Sequence, residues 1–204
     1  MADETRRERK KLQTRQLLVD TALRLFAEQG YEQTTIAQIT QAADVAKKTF
    51  FNHFPTKEDV LFADTGQYVE AAVEVIRERA PREHVSDVLL EIYERVFARR
   101  LAEGPLAGAG KDLKRLDDTV MKLPAVQAKA LHVMSDLQQT IAGALLNAYP
   151  GVLDPVTAAA AVGSLMGAAQ AAGTASLRQG PSMEEYLVSI RRALDVALQG
   201  LRSL

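Results

Sequence analysis

Between Val45 and Phe54 the chain reads V-A-K-K-T-F-F-N-H-F. At helical spacing Phe50 and Phe54 share one face, and Lys47, Lys48, Thr49, Asn52 and His53 are left for the other. All five of those side chains can donate to base edges or phosphates. Asparagine pairs bidentately with adenine and lysine reaches guanine edges, each good contact discriminating by about 1–3 kcal/mol. Upstream, Arg6, Arg7, Arg9, Lys10, Lys11 and Arg15 form a basic arm suited to a phosphate strand or a minor groove. The competing reading of that arm is a solvated, disordered tail.

Other chemistries find less support. Cysteine is absent, which excludes disulfides and thiolate sites and suits a reducing, cytoplasmic compartment. His53, His84 and His132 are the histidines, and none pairs at i+3 or i+4 with another ligand type in a metal-binding motif, so no metal is expected. Gly108-Ala109-Gly110-Lys111 has a proline at 105 and Asp112 where a phosphate loop needs glycine and a hydroxyl, and no strand precedes it. No nucleophile, base and orienting group assemble into a catalytic set. The expectation is a protein that is not an enzyme and needs no cofactor.

The elements that must position the basic face are helices. Leu18, Ala22, Leu25 and Phe26 make the stripe of a first helix over 12–29, capped by Gly30. Thr35 with Gln38 forms a capping box for a short second helix ending near Ala43. After Asp44-Val45 comes the segment Lys47–Phe54, stopped by Pro55. Thr56 with Asp59 then opens a long helix through Leu61, Tyr68, Ala72, Val75 and Arg79. Further helices are expected from Val85 to about Leu101, in a polar stretch to about Val120, over 124–148 and over 155–177. The last is opened by Ser182 with Glu185. No segment alternates with period two, so the fold class is all-α with about nine helices. Two short helices joined by a tight turn after a bracing helix are what a helix-turn-helix reader requires.

Gly30-Tyr31, Thr34-Thr35-Ile36-Ala37-Gln38-Ile39, Ala42-Ala43-Asp44-Val45 and Thr49 to Leu61 together resemble the N-terminal signature of the TetR family of bacterial regulators, over about residues 13–62. The resemblance implies a homodimer on a palindromic double-stranded DNA operator, repressing transcription, with a helical C-terminal domain that binds a small molecule and releases DNA. Carried over by position, Thr35 would bond a phosphate, Lys47, Lys48, Thr49 and Asn52 would face the groove, and Lys57 would meet the backbone. Two positions depart from the pattern. Ala46 replaces a frequent capping serine, and Phe51 stands where a tyrosine hydroxyl often reaches phosphate, leaving it van der Waals contact with sugar. His53, Arg9, Lys10 and Arg15 complete the expected DNA-facing set.

The organisation expected is a basic arm at 1–12, a helix-turn-helix domain at 13–62 and a ligand-binding and dimerisation domain at 63–204. Residues 156–177 lack any charge and contain a Gly163-x-x-x-Gly167 spacing. Their length would span a bilayer, but their Ala, Gly, Ser, Thr and Gln content and soluble-type cap argue for burial between a body and a partner. With Leu187, Ile190, Leu194 and Leu198 they resemble the helices that family members pair across a dimer. Tyr93, Phe97, Leu101, Leu113, Met121, Met134 and Met166 are the candidate pocket lining, suited to a lipophilic or acyl-type effector. Two other functions share this pattern: an activator with the same head, and a small-molecule-binding protein whose head no longer binds DNA.

Overall fold

The computed structural model describes residues 2–98, 123–177 and 179–202. Every regular element among the described residues is helical. They divide into two compact units, a head (2–63 with 123–130) and a body (64–98 with 131–202). The polar helix expected before Val120 lies outside the described residues.

In the head, α1 spans Ala2–Gln29, α2 Ile36–Ala42, α3 Lys47–His53 and α4 Glu58–Leu61. Helix α1 begins ten residues earlier than its apolar stripe, because the charged arm continues the same helix. Arg6 through Gln13 are exposed on it, so the expected 1–12 arm is a helical extension. Gly30 ends α1 at φ +91°, a left-handed conformation that glycine adopts without a Cβ penalty, and its amide closes on the Phe26 carbonyl. The head core gathers Leu18, Ala22, Phe26, Ile39, Phe50, Phe54 and Val60 with Val126.

The long helix expected from Thr56 is broken in two. Phe62 and Ala63 donate to carbonyls three residues back, at Asp59 and Val60, which tightens the chain out of α-helical register. The Ala63 carbonyl then accepts from the Arg15 guanidinium at 2.7 Å, so it does not continue a ladder. Helix α5 starts afresh at Thr65 and runs to Glu78.

The body adds α6 (Val85–Ile92), which continues as a π-helical segment over Tyr93–Ala98. Helix α7 spans Pro124–Ala148, with its residues from Leu131 onward in the body. Helix α8 covers Pro155–Leu177 and α9 covers Met183–Leu201. Asp154 caps α8 by accepting from the Val156 and Thr157 amides at 2.8 and 2.9 Å. Ser182 and Glu185 form the expected reciprocal cap on α9. Leu137, Ile141 and Leu145 of α7 are buried, whereas Leu131, expected on the same stripe, is exposed.

Helices α8 and α9 pack against each other, and this corrects the seam expected from the sequence. Ile190, Leu194 and Leu198 are 3 %, 1 % and 3 % exposed within their own chain, so they belong to the body core and have no surface to offer a partner. Leu187 is half-buried. Of the glycine pair, a Cβ on Gly163 would lie 2.8 Å from the Gln138 amide nitrogen of α7, inside the unit. Only Gly167 faces open space. Helix α8 is long and apolar enough to cross a membrane, yet Ala158, Ala161, Val162 and Leu165 seat one face in the core. Its other face stays uncharged and exposed.

Leu145 is fully buried where α7 meets the rest of the body core. Leu145→Ala is expected to lower unfolding stability by about 2–5 kcal/mol. Denaturant titration of far-ultraviolet circular dichroism measures this as an earlier midpoint.

Candidate nucleic-acid interface and ligand cavity

The tight turn between α2 and α3 is built by local bonds. Thr35 caps α2 in a complete capping box with Gln38. Asp44 then takes φ +51°, tolerated by a short polar side chain, and the Val45 amide returns to the Thr40 carbonyl at 2.9 Å. Helix α3 starts at Ala46 without a side-chain cap. Phe50 and Phe54 are 0 % and 1 % exposed, with ring centroids 5.7 Å apart. Burying them leaves Lys47, Lys48, Phe51 and Asn52 exposed, with Thr49 half-buried on the flank. Phe51 is 51 % exposed, a large apolar surface set among cations, and its ring meets Phe50 edge-on. Thr35, at the α2 N-terminus, is exposed as well.

Three of the expected DNA contacts point elsewhere or take a different form. Arg15 donates to the His53 carbonyl at 3.3 Å and to the Ala63 carbonyl at 2.7 Å, with its guanidinium 4.3 Å from the Phe54 ring centroid. It fastens the C-terminal end of α3. Two of its five N–H donors are thus engaged inside the head, a role the sequence did not predict. Lys57 also has partners inside the head. Its ammonium donates to the Tyr31 and Thr34 carbonyls at 2.7 and 3.0 Å and lies 4.0 Å from the Tyr31 ring centroid. Burial lowers its pKa while Glu58 and Glu32 oppose that shift. His53 is half-buried, and burial, then the charges of Arg15 and Lys11, hold it below the ordinary histidine value. At neutral pH it presents an uncharged imidazole with one donor and one acceptor. Arg9 and Lys10 lie exposed on the α1 extension.

Sequence reasoning missed the groups that hold this face in place. The Tyr31 hydroxyl donates to Glu58 at 2.8 Å. Burial and that carboxylate push the Tyr31 phenol upward. Burial alone would raise Glu58, but the backbone amide and the Tyr31 and Thr56 hydroxyls bring it below its usual value. Asp59 accepts from the Thr56 amide and hydroxyl at 2.8 and 2.6 Å with one oxygen. Its other oxygen pairs with Lys129 of α7 at 2.6 Å. The Thr56–Asp59 box was legible; a partner seventy residues away leaves no local signal.

The body holds a half-open cavity of about 350 Å³. Tyr93, Phe97, Met134 and Met166 of the expected lining all border it, together with Leu137, Ile141, Leu165 and Tyr186. Leu101, Leu113 and Met121 lie outside the described residues. Tyr186 and Gln170 were not expected, because α8 and α9 read as dimer helices and their inner faces were not assigned. Burial, with Tyr186 adding to it, pushes the Tyr93 phenol up.

The chain matches the family described as bacterial regulatory proteins, tetR family, over residues 18–63. It is 31 % identical over 137 residues to the transcriptional regulator TcmR of Streptomyces glaucescens, covering 67 % of this chain and 60 % of that protein. It is 36 % identical over 67 residues to the fatty acid metabolism regulator protein of Bacillus subtilis, covering 31 % and 34 %. The chain thus spans less than two thirds of these curated relatives. Among solved structures, the fatty acid degradation regulator FadR of Bacillus halodurans aligns with a TM-score of 0.59 at 20 % identity, covering 93 % and 96 % of the two chains. FadR of Thermus thermophilus in complex with lauroyl-CoA aligns with a TM-score of 0.56 at 23 % identity, covering 92 % and 94 %. These likenesses establish the fold.

Asp59→Asn removes the charge from both of the Asp59 contacts. It is expected to cost the head about 1–3 kcal/mol at neutral pH. Because the folded carboxyl titrates below its unfolded value, its stabilisation is complete above about pH 4 and fades as pH falls through the lower, folded value. Thermal melts of both proteins from pH 7 to 3 check this: the gap between them closes in acid.

Proposed function

Because this chain belongs to the TetR family of bacterial regulatory proteins, we propose that it is a sequence-specific, DNA-binding transcriptional repressor that binds a palindromic operator as a homodimer and is released by a small-molecule effector. It acts in the bacterial cytoplasm and performs no catalysis. The observation that carries the reading is the split of α3. Its two buried phenylalanines fix the helix, and Lys47, Lys48, Phe51 and Asn52 stand out from the head on the opposite side. A helix presenting that face enters a major groove, with Lys and Asn aimed at base edges. Thr35 and the α2 N-terminus meet a phosphate, and Thr49 and His53 flank the contact. Arg9 and Lys10 supply charge from the α1 extension, and Phe51 packs on sugar.

Dimerisation uses the outer faces of α8 and α9. Val156, Val188 and Val196 are 77 %, 62 % and 69 % exposed, and Gly167 leaves room for a close approach. An uncharged helix face of this length is stable in water when a second copy covers it. The effector occupies the body cavity and prefers a dimer state in which the recognition helices no longer match the half-site spacing. By linkage, DNA disfavours effector by the same factor.

The test begins with operator fragments selected from a random DNA pool. Lys48→Ala with Asn52→Ala is expected to abolish discrimination of the selected palindrome, each lost base contact weakening it by about 1–3 kcal/mol. Unchanged operator affinity in a gel shift sinks the assignment of α3. Lys57→Met is expected to weaken binding without changing the salt dependence, since its ammonium is held by carbonyls. Each exposed lysine that neutralises a phosphate should contribute about 0.9 to the slope of log affinity against log salt.

Val188→Glu combined with Val196→Glu is expected to convert a dimer to a folded monomer by light scattering at micromolar concentration. A wild-type chain that is itself monomeric there contradicts the dimer.

A further inference from the structure

The reading face of α3 is polar except at its centre, where it carries a ring. Phe51 follows Lys47 by four residues and Lys48 by three, the spacings that set side chains one above another on a helix. Asn52 stands beside it, and all four side chains are exposed. The Phe51 ring is braced from behind. It meets Phe50 at a centroid distance of 5.7 Å and an interplanar angle of 85°, and Phe50 is fully buried in the close-packed head core. Side chains on a helix lean toward its N-terminus, so the ring covers the turn of Lys47 and Lys48 and not the turn that follows. In a recognition helix that is the end whose residues meet base edges.

We infer that Phe51 is a specificity-determining residue: beyond the sugar on which it packs, its ring reads one thymine in each half-site by contact with the 5-methyl group. This rests on the reading of α3 as the recognition helix. A phenylalanine has no hydroxyl to bond a phosphate oxygen, so what it gains on binding comes from apolar surface removed from water. On the floor of a major groove the one methyl group is that of thymine. Other base edges present donors and acceptors there, and a ring laid over them would desolvate them without pairing. Thr49 also carries a methyl suited to the contact, but it is half-buried on the flank of α3. Asn52 selects adenine by hydrogen bonds, and Phe51 selects thymine by shape.

The experiment uses the full chain and the operator selected from the random pool, with deoxyuridine replacing each thymidine of one half-site in turn, a change that deletes only the methyl group. At one position the wild-type protein is expected to lose about three- to tenfold in affinity by gel shift, the effect of uncovering one methyl. In Phe51→Ala the ratio of thymidine to deoxyuridine affinity at that position falls to about one. Phe51→Leu, which keeps part of the apolar surface, gives an intermediate ratio. A wild-type protein indifferent to every thymine methyl overturns the proposal while leaving α3 as the recognition helix. So does a ratio preserved in both Phe51 variants, or one that falls to about one in Thr49→Ser instead. Failure to select any operator, or operator affinity unchanged by Lys48→Ala with Asn52→Ala, overturns that reading and this inference together.

Discussion

The seating of Phe54 is the contact on which the head's geometry depends. Its ring is buried against Phe50, and the Arg15 guanidinium covers its face while bonding the carbonyls of His53 and Ala63. A guanidinium has five donors in a rigid fork, so it can stack on a ring and bind two separate carbonyls at once. Here those carbonyls terminate α3 and interrupt the chain after α4. One side chain on α1 thereby fixes where the reading helix ends and where the next long helix is allowed to begin. Without that fork the orphan carbonyls at the end of α3 would have to be satisfied by water, and the helix would be held by its two rings alone.

A second clamp operates at the other side of the head by the same physics. The Lys57 ammonium fills the mouth of the α1–α2 loop, bonding the carbonyls of Tyr31 and Thr34 and resting on the Tyr31 ring. The Tyr31 hydroxyl in turn binds Glu58, the residue that follows Lys57. The arrangement is a closed circuit of cation, carbonyls, ring, phenol and carboxylate, each satisfying the next. Partial burial strengthens every link by lowering the local dielectric. Asp59 extends it to Lys129, so the short helix α4 is tied on both flanks although four residues give it little stability of its own.

The sequence reading located what depends on local rules. Capping boxes at Thr35, Thr56 and Ser182, the Asp154 cap and the stop at Gly30 all follow from bonds between residues a few positions apart. The split of α3 into buried rings and exposed polar groups was legible for the same reason. What could not be read is which of two faces a long side chain chooses. Lys57 and Arg15 look like phosphate ligands because a cation beside a reading helix usually serves that purpose, and the carbonyls that the fold brings to them leave no local signal. Ile190, Leu194 and Leu198 failed differently. A period-3.6 stripe marks the buried face of a helix but does not say whether its own chain or a partner buries it. The uncharged surface of α8 hid the distinction, because its inner and outer faces have nearly the same composition.

Committing two cations to the interior changes what kind of DNA contact the head can make. With Arg15 and Lys57 bonded to carbonyls, the positive charge left near the reading face includes that of Lys47 and Lys48, supplemented by Arg9, Lys10 and Lys11 on α1. His53, held below its ordinary pKa by burial and by the adjacent cations, adds none at neutral pH. Non-specific attraction to DNA scales with the number of phosphates neutralised, whereas base contacts are read one by one. On the proposed function, a head with cations partly bonded inward has less of the sequence-independent term, and Asn52, the exposed lysines of α3 and the fit of Phe51 would carry a larger share of its discrimination. Rigidity works in the same direction: these two cations hold α3 and the α1–α2 loop in place before DNA arrives. Less ordering then remains to be done on binding, and the few contacts that are made count more fully toward specificity.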